Sequence, residues 1–219
     1  MKELIQKLCL LDNELRAEAL KSELAAKKVD FECRDGMAVV VPSAGDDAVV
    51  LCAHFDAVSG SFGYNDNGMS LGIILSLLKK LPKIAEVVFT NGEECGFLGA
   101  RYYLGHSRRK RILGCVNLDV CGFGNMVYCD PMNSVLELAE CKNGRMPLND
   151  GCIFAASGIP TLTFSTGPAE VPFTEGIRQI GRTIHNGPLD NRLEVLNFEL
   201  PDLVGSFVLR AIGAFANAA

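Results

Sequence analysis

The sequence Leu51-Cys-Ala-His-Phe-Asp-Ala-Val58 is the stretch from which the fold and the chemistry of this chain can be inferred. The apolar run 48–52 predicts a buried strand, and His54 and Asp56 follow at its carboxyl end, two residues apart. Residues i and i+2 of an extended chain point the same way, so the imidazole and the carboxylate are expected on one side.

Further candidate metal ligands lie downstream, each just past an apolar strand-like run or in a polar loop. They are Asp66 in Asp66-Asn-Gly68, the pair Glu93-Glu94, Asp119 and His185. Imidazole nitrogens and carboxylate oxygens suit zinc and neighbouring transition metals. The set indicates a hydrolase with two metal ions.

Each of these residues also has a structural interpretation. A single histidine after a strand is more often structural than a ligand, Glu93-Glu94 can be surface charge, and Asp66 can cap a helix. Asp119 differs because apolar residues surround it in Cys115-Val-Asn-Leu-Asp-Val-Cys121. An unpaired buried carboxylate is costly, so a cation or a hydrogen-bonding cluster is expected there.

Hydrophobic spacing along the chain predicts alternating strands and helices. Strands are expected at residues 31–34, 37–41, 48–53, 86–90, 112–120, 126–129 and 159–165. Helices are expected at 2–28, 68–80, 97–105, 134–141 and 200–216, and a long loop at 167–186. The alternation predicts an α/β fold, a three-layer α/β/α sandwich around a central, largely parallel mixed sheet. Sites in such sheets gather at the carboxyl ends of the strands.

The composition limits the class of protein. A chain of 219 residues with 48% hydrophobic residues predicts one catalytic domain over residues 1–219. The net charge of −5 argues against nucleic acid as a partner. No apolar window reaches the roughly 20 residues that span a bilayer, and the charged, amphipathic start does not resemble a secretory signal. The nine cysteines contain no CxxC pair and are expected as reduced thiols. These features favour the cytoplasm and no membrane partner.

As a set, the motifs closely resemble the di-zinc aminopeptidases of metallopeptidase family twenty-eight, which includes bacterial leucyl aminopeptidases and the glutaminyl cyclases. The resemblance covers residues 48 to 199. It rests on the order His-x-Asp, Asp-Asn-Gly, Glu-Glu, Asn-Leu-Asp and a late histidine, and on Ala156-Ser-Gly-Ile-Pro-Thr161 and Ile184-His-Asn-Gly-Pro-Leu-Asp190. It implies the phosphorylase/hydrolase-like fold of zinc exopeptidases.

The resemblance also implies a role for each site residue. His54 and Asp119 would hold one zinc ion, Glu94 and His185 the other, and Asp66 would bridge the two. Glu93 and Asp56 would be the catalytic residues: Glu93 as general base, and Asp56 as the carboxylate that orients the His54 ring. Asp190 would either support His185 or stabilise a turn.

The implied function is a metallo-aminopeptidase that removes N-terminal residues from short peptides or aminoacyl amides. Two Zn²⁺ would be the cofactors, with Co²⁺ or Mn²⁺ as substitutes. The alternatives are a glutaminyl cyclase-like acyltransferase, which the absence of tryptophan disfavours, and an inactive binding member of the family. Because the chain is short for this family, the site is expected to be open or completed by a neighbouring subunit in a homo-oligomer.

Overall fold

The computed structural model describes residues 1–134, 136, 138, 141–169 and 171–218, without the side chain of Phe173. The strands are β1 (Glu32–Arg34), β2 (Ala38–Val41), β3 (Asp47–His54), β4 (Ala85–Thr90), β5 (Arg111–Leu118), β6 (Met126–Met132), β7 (Lys142–Asn143) and β8 (Thr161–Gly167). The helices are α1 (Lys2–Leu8), α2 (Asn13–Ala26), α3 (Met69–Leu77), α4 (Leu98–His106), α5 (Asp150–Ala156), α6 (Phe173–Ile180) and α7 (Leu200–Asn217).

The eight strands form one mixed sheet in the order β1-β2-β4-β3-β5-β8-β6-β7. The four central strands β4, β3, β5 and β8 run parallel to one another. Strands β1 and β2 add to one edge in antiparallel fashion, and β6 pairs antiparallel with β8 at the other. The predicted α/β fold is therefore confirmed.

Side chains alternate between the two faces of the sheet, and a helical layer covers each face. Val49, Leu51 and Ala53 of β3 pack in the larger core, which helices α1, α2, α3 and α7 cover. Val50 and Cys52 face the other way and pack in a smaller core with residues of α4 and α5. A strand buried on both faces reads as a continuous apolar run, which explains the run before His54.

Two predicted elements differ from the structure, and a third is not tested by it. The expected helix 2–28 is broken at Cys9–Asp12, because the Asp12 side chain accepts a hydrogen bond from the backbone N–H of Leu15 and caps a second helix. The expected loop 167–186 contains α6. The expected helix at 134–141 falls largely on residues 135, 137, 139 and 140, which lie outside the described part of the chain.

In the part of the chain that the structure describes, no helix is long and apolar enough to cross a membrane. Strands β1 and β2 form a hairpin through Asp35 and Gly36, and both residues have positive φ, as a tight turn between twisted strands requires.

A buried carboxyl group lies at the start of α5. Asp150 is 1% exposed, and its Oδ2 accepts a hydrogen bond of 2.5 Å from the Thr90 hydroxyl. Its Oδ1 has no hydrogen-bond partner among the described residues. Burial raises the pKa of Asp150 from 3.8 to about 6. The folded protein therefore holds a proton on Asp150 over a pH range in which the unfolded chain has lost it.

We predict that this proton makes stability depend on pH. Because the folded pKa lies above the unfolded value, the contribution is present below about pH 4 and is lost as pH rises through 6. We compare the free energy of unfolding of Asp150→Asn with that of the unsubstituted protein, with a metal chelator present. The difference should shift in favour of Asp150→Asn by roughly 3 kcal/mol as the pH rises from below both pKa values to above both. A difference that stays constant with pH would contradict the buried, protonated carboxyl.

Close packing at the sheet generates a second prediction. A Cβ atom at Gly114 of β5 would lie within 2.7 Å of three ring carbons of Phe215, whereas one at Gly213 of α7 would meet no described atom within 4 Å. Gly114→Ala should therefore lower the free energy of unfolding by roughly 1–3 kcal/mol. Gly213→Ala should raise it by about 0.5–1 kcal/mol, because alanine restricts the unfolded chain. Urea denaturation measures both, and equal effects would contradict the packing.

Candidate metal centre

The candidate site lies at the carboxyl ends of three neighbouring parallel strands. His54 is the last residue of β3, Glu93 and Glu94 follow β4, and Asp119 directly follows β5. Because these strands are adjacent in the order β4-β3-β5, the three side-chain groups meet at one edge of the sheet. Asp66 reaches the same place from the short helical segment Tyr64–Gly68.

The Asp66 carboxylate lies between two histidines. Its Oδ1 is 3.0 Å from Nε2 of His54, and its Oδ2 is 3.1 Å from Nε2 of His185. His54 Nε2 is also 3.6 Å from Oδ1 of Asp119, and His185 Nε2 is 3.1 Å from Oε2 of Glu94. The five predicted ligands therefore divide into a His54–Asp119 pair and a Glu94–His185 pair, with Asp66 shared.

Donor atoms of His54, Asp66 and Glu94 all lie within 4.8 Å of one another, which is close enough for one metal ion to contact all three. The two sides of Asp66 differ in exposure. The His54 side chain is 3% exposed and the His185 side chain is 55% exposed. The His185 side of the site is therefore the side that is open to solvent.

Asp56 ties the His54 side of the site to the glutamate pair. Its Oδ1 is 3.5 Å from Nδ1 of His54, and its backbone carbonyl oxygen is 3.0 Å from the same nitrogen. The backbone N–H groups of Glu93 and Glu94 donate to the two Asp56 carboxylate oxygens, each at 3.2 Å. One carboxylate thus orients the His54 ring and fixes the loop that presents both glutamates.

Both histidines lie among carboxylates that favour the charged imidazolium form. Burial disfavours a charged His54, but hydrogen bonds led by the one to Asp119 raise its pKa well above the ordinary value. Hydrogen bonds to Asp66 and Glu94 raise the pKa of His185 to about 10. Each imidazolium therefore supplies positive charge that the surrounding carboxylates require.

The carboxyl groups respond to burial and to one another. Burial raises the pKa of Glu93 to about 9 and raises that of Asp119. Burial acts in the same direction on Asp66, but hydrogen bonds from His185 and His54 hold its pKa well below the ordinary value. The carboxyl groups of Asp66, Glu94 and Asp119 outnumber the two imidazoles, so protonated histidines alone do not balance the fully ionised cluster. Nitrogen and oxygen donors at these spacings fit divalent metal ions.

One residue that sequence reasoning did not assign to the site, Asn65, holds its loops together. Asn65 donates from Nδ2 to the Thr183 hydroxyl at 2.8 Å and accepts from the Gly122 N–H at 2.8 Å. It thereby joins the loops that carry Asp66, His185 and Asp119. The only signal in the sequence was its position beside Asp66.

Asp190 holds the His185 loop without touching the His185 ring. Its Oδ2 accepts from the Ser61 hydroxyl at 2.5 Å and from the Asn186 N–H at 2.9 Å. Of the two roles expected for Asp190, the structure thus favours stabilisation of a turn, with a further link to the loop that precedes Asp66.

A pocket of about 340 Å³ opens beside the ligand cluster. Its apolar lining residues are Phe97, Val120, Met146, Pro147, Leu148, Ile177, Ile180 and Ile184, and Asp66, Glu93, Glu94, Asp119 and His185 also line it. Helix α6 contributes Ile177 and Ile180, which are three residues apart on one helical face. A substrate bound in this pocket would thus contact both the carboxylate cluster and apolar side chains.

Comparison with known proteins finds a family model that matches part of this chain. The model of Peptidase family M28 matches residues 37–134, a stretch that holds every predicted site residue except His185. A vacuolar membrane protease of Yarrowia lipolytica is 35% identical over 85 residues, which is 35% of this chain and 8% of that protein. The chain thus spans less than a tenth of the length of this curated relative.

Solved structures share the fold. BSAP, a zinc aminopeptidase from Bacillus subtilis, aligns with a TM-score of 0.62 and 22% identity, over 80% of this chain and 49% of that one. A glutaminyl cyclase from an Acidobacteriales bacterium aligns with a TM-score of 0.72 and 16% identity, over 100% of this chain and 92% of that one. Residues 37–134 are thus similar to Peptidase family M28, and the chain shares its fold with these two structures.

Proposed function

We propose that this protein is a di-zinc aminopeptidase that removes apolar N-terminal residues from short peptides or aminoacyl amides. The observation that carries the proposal is the shared carboxylate of Asp66, with one oxygen facing His54 and the other facing His185. A carboxylate placed in this way suits two ions side by side. The similarity of residues 37–134 to Peptidase family M28 supports a metal-dependent peptidase.

The donor set divides between two zinc ions. His54 and Asp119 would hold one ion, Glu94 and His185 would hold the other, and Asp66 would contact both. Zinc accepts imidazole nitrogen and carboxylate oxygen ligands, and Co²⁺ or Mn²⁺ would be substitutes. When bound, such ions polarise a carbonyl group and lower the pKa of a bound water toward about 7.

Glu93 is placed to move a proton. It lines the pocket beside the ligand cluster, and it forms none of the ion pairs that the described ligands make. Its backbone is fixed by the N–H that it donates to Asp56. Positive ions bound beside Glu93 would lower its raised pKa, so that it is ionised. In the proposed reaction, a carboxylate oxygen of Glu93 then accepts a proton from the attacking water and donates it to the nitrogen of the leaving amine.

The pocket supports a preference for apolar N-terminal side chains. Phe97, Met146, Ile177 and Ile180 would surround such a side chain. Each square ångström of apolar surface removed from water contributes roughly 25 cal/mol to binding. The free α-amino group of the substrate would be attracted to the carboxylates at the end of the pocket, which is consistent with action on chain ends.

Glutaminyl cyclisation is the second candidate, because the aligned cyclase matches this chain over nearly its whole length. Incubation with leucine p-nitroanilide and with a peptide that begins with glutamine separates the two. Release of free leucine and p-nitroaniline is expected. Conversion of the glutamine peptide to its cyclic form, without cleavage of the leucine substrate, would establish the cyclase instead. A protein that binds zinc but converts neither substrate would be the inactive binding member.

Several other expectations from the sequence remain predictions. These are a single domain over residues 1–219, a cytoplasmic location, a homo-oligomer, and the lack of nucleic-acid and membrane partners.

Neighbouring glutamates allow a matched test of the general base. Glu93→Gln should retain zinc and reduce kcat by roughly 10²–10⁴-fold, because the amide cannot accept the proton. Glu94→Gln makes the same chemical change one residue later and should also weaken zinc binding, since Glu94 lies 3.1 Å from His185. Zinc content and kcat of both variants are measured together. A fully active Glu93→Gln protein would remove Glu93 as the base.

The number of zinc ions per chain tests the division of ligands. The unsubstituted protein should carry two ions after dialysis, and His54→Ala or His185→Ala should each lose at least one, as measured by elemental analysis. His106→Ala is the control, because His106 is exposed and its Nδ1 contacts the Tyr102 carbonyl oxygen, away from the described ligands. A single ion in the unsubstituted protein would contradict the di-zinc assignment.

A further inference from the structure

Helix α2 presents two polar side chains, Asn13 and Arg16, to the loop that carries Asp56. The two residues are three positions apart and share one face of the helix. Leu20 and Leu24 of the same helix are fully buried in the larger core, so apolar packing of α2 is provided without Asn13 and Arg16. The polar contacts therefore require a separate explanation.

Arg16 is 1% exposed and has no carboxylate within ion-pair distance among the described residues. Its Nε donates to the Phe55 carbonyl oxygen at 2.5 Å, and its Nη1 donates to the Phe62 carbonyl oxygen at 2.6 Å. A third contact, of 3.3 Å, joins Nη1 to the Leu10 carbonyl oxygen. A buried cation without a partner carboxylate is costly, so hydrophobic burial alone does not explain an arginine at this position.

Asn13 holds the next part of the same loop. Its Nδ2 donates to the Ala57 carbonyl oxygen at 3.1 Å, and its Oδ1 accepts from the Ala57 N–H at 3.0 Å. Arg16 thus hydrogen-bonds to the backbone of Phe55, and Asn13 hydrogen-bonds to the backbone of Ala57. The residue between them is Asp56, whose backbone is fixed from both sides by one face of α2.

Asp56 connects the loop that α2 holds to the residues of the proposed metal centre. Its carboxylate contacts the His54 ring and accepts the backbone N–H groups of Glu93 and Glu94. A shift of the Asp56 backbone would therefore move His54, a proposed ligand of one ion. It would also move the loop that carries Glu93, the proposed base, and Glu94, a proposed ligand of the other ion. Such outer contacts typically change metal affinity or activity by 10–100-fold when they are removed.

We propose that Asn13 and Arg16 are positioning residues of the metal centre, which act by holding Asp56 in register with His54, Glu93 and Glu94. The inference rests on the proposed metal site. Both residues precede residues 37–134, so α2 lies outside the stretch that matches the family model and still contacts the candidate site.

Two variants test the proposal, and a third is the control. Asn13→Ala removes the contacts to Ala57 at an exposed position, where Asp12 still caps the helix, so the protein should fold. Arg16→Met removes the guanidinium and keeps an apolar stem. Leu20→Ala loosens the same helix against the core without touching the loop, and it reports what destabilisation of α2 does by itself.

The first measurement is cobalt binding to metal-free protein, followed by competition with a chelator and by visible absorption. Asn13→Ala and Arg16→Met should bind Co²⁺ about 10–100-fold more weakly and change the band intensities, whereas Leu20→Ala should retain the affinity and spectrum of the unsubstituted protein. Because α2 does not line the pocket, kcat should fall in the two variants while KM is retained. Equal cobalt affinity and an equal spectrum in all four proteins would overturn the proposal.

The second measurement is amide hydrogen exchange in metal-free protein, which separates this proposal from the proposed function. Loss of one hydrogen bond corresponds to roughly fivefold faster exchange. Asn13→Ala should accelerate Ala57 and also Glu93 and Glu94, which donate to Asp56, beyond any acceleration in Leu20→Ala. If the unsubstituted protein bound no metal, the proposed function would fail, yet exchange would still decide the positioning role. Unchanged exchange at Glu93 and Glu94 would overturn it.

Discussion

The crowding of carboxylates around Asp66 is the constraint on which the site depends. Asp66 is nearly buried, and it has Nε2 of a histidine on each side at 3.0 and 3.1 Å. Asp119 lies 3.6 Å from Nε2 of His54, and Glu94 lies 3.1 Å from Nε2 of His185. Anionic groups tolerate such proximity only where positive charge compensates them, because desolvation and mutual repulsion both disfavour the ionised state. Protonated imidazoles supply this charge in the metal-free protein, and metal ions bound to the imidazole nitrogens would replace those protons.

The fold makes this crowding tolerable by fixing each group from a different element. The parallel strands β4, β3 and β5 bring their carboxyl ends together, while Asp66 and His185 come from loops. Loops alone would allow such like charges to separate. Here Asn65 joins the loops that carry Asp66, Asp119 and His185, and Asp190 ties the His185 loop to Ser61. The hydrogen bonds between these loops are therefore as much a part of the candidate site as the predicted ligands.

Sequence reasoning reached the strands and the ligands because both leave local signals. A buried parallel strand such as β3 reads as an apolar run, and polar residues directly after it must lie at the carboxyl edge of the sheet. His185 was a candidate because it lies in a polar loop, and the family resemblance assigned it to a particular ion. The contacts of Asn65 could not be predicted, because its partners Gly122 and Thr183 are more than 50 positions away. A backbone N–H group or a single hydroxyl group also leaves no periodic signal in the sequence. Helix α6 was missed because Pro172 and Gly176 mask a short helix within a loop that is rich in such residues.

The location of bound metal tests this account most directly. A crystal structure of zinc-loaded protein, with diffraction collected at the zinc absorption edge, should show two anomalous peaks. One peak should lie between His54 and Asp119, the other between Glu94 and His185, and the Asp66 carboxylate should contact both. A single peak, or peaks away from Asp66, would contradict the shared-carboxylate centre.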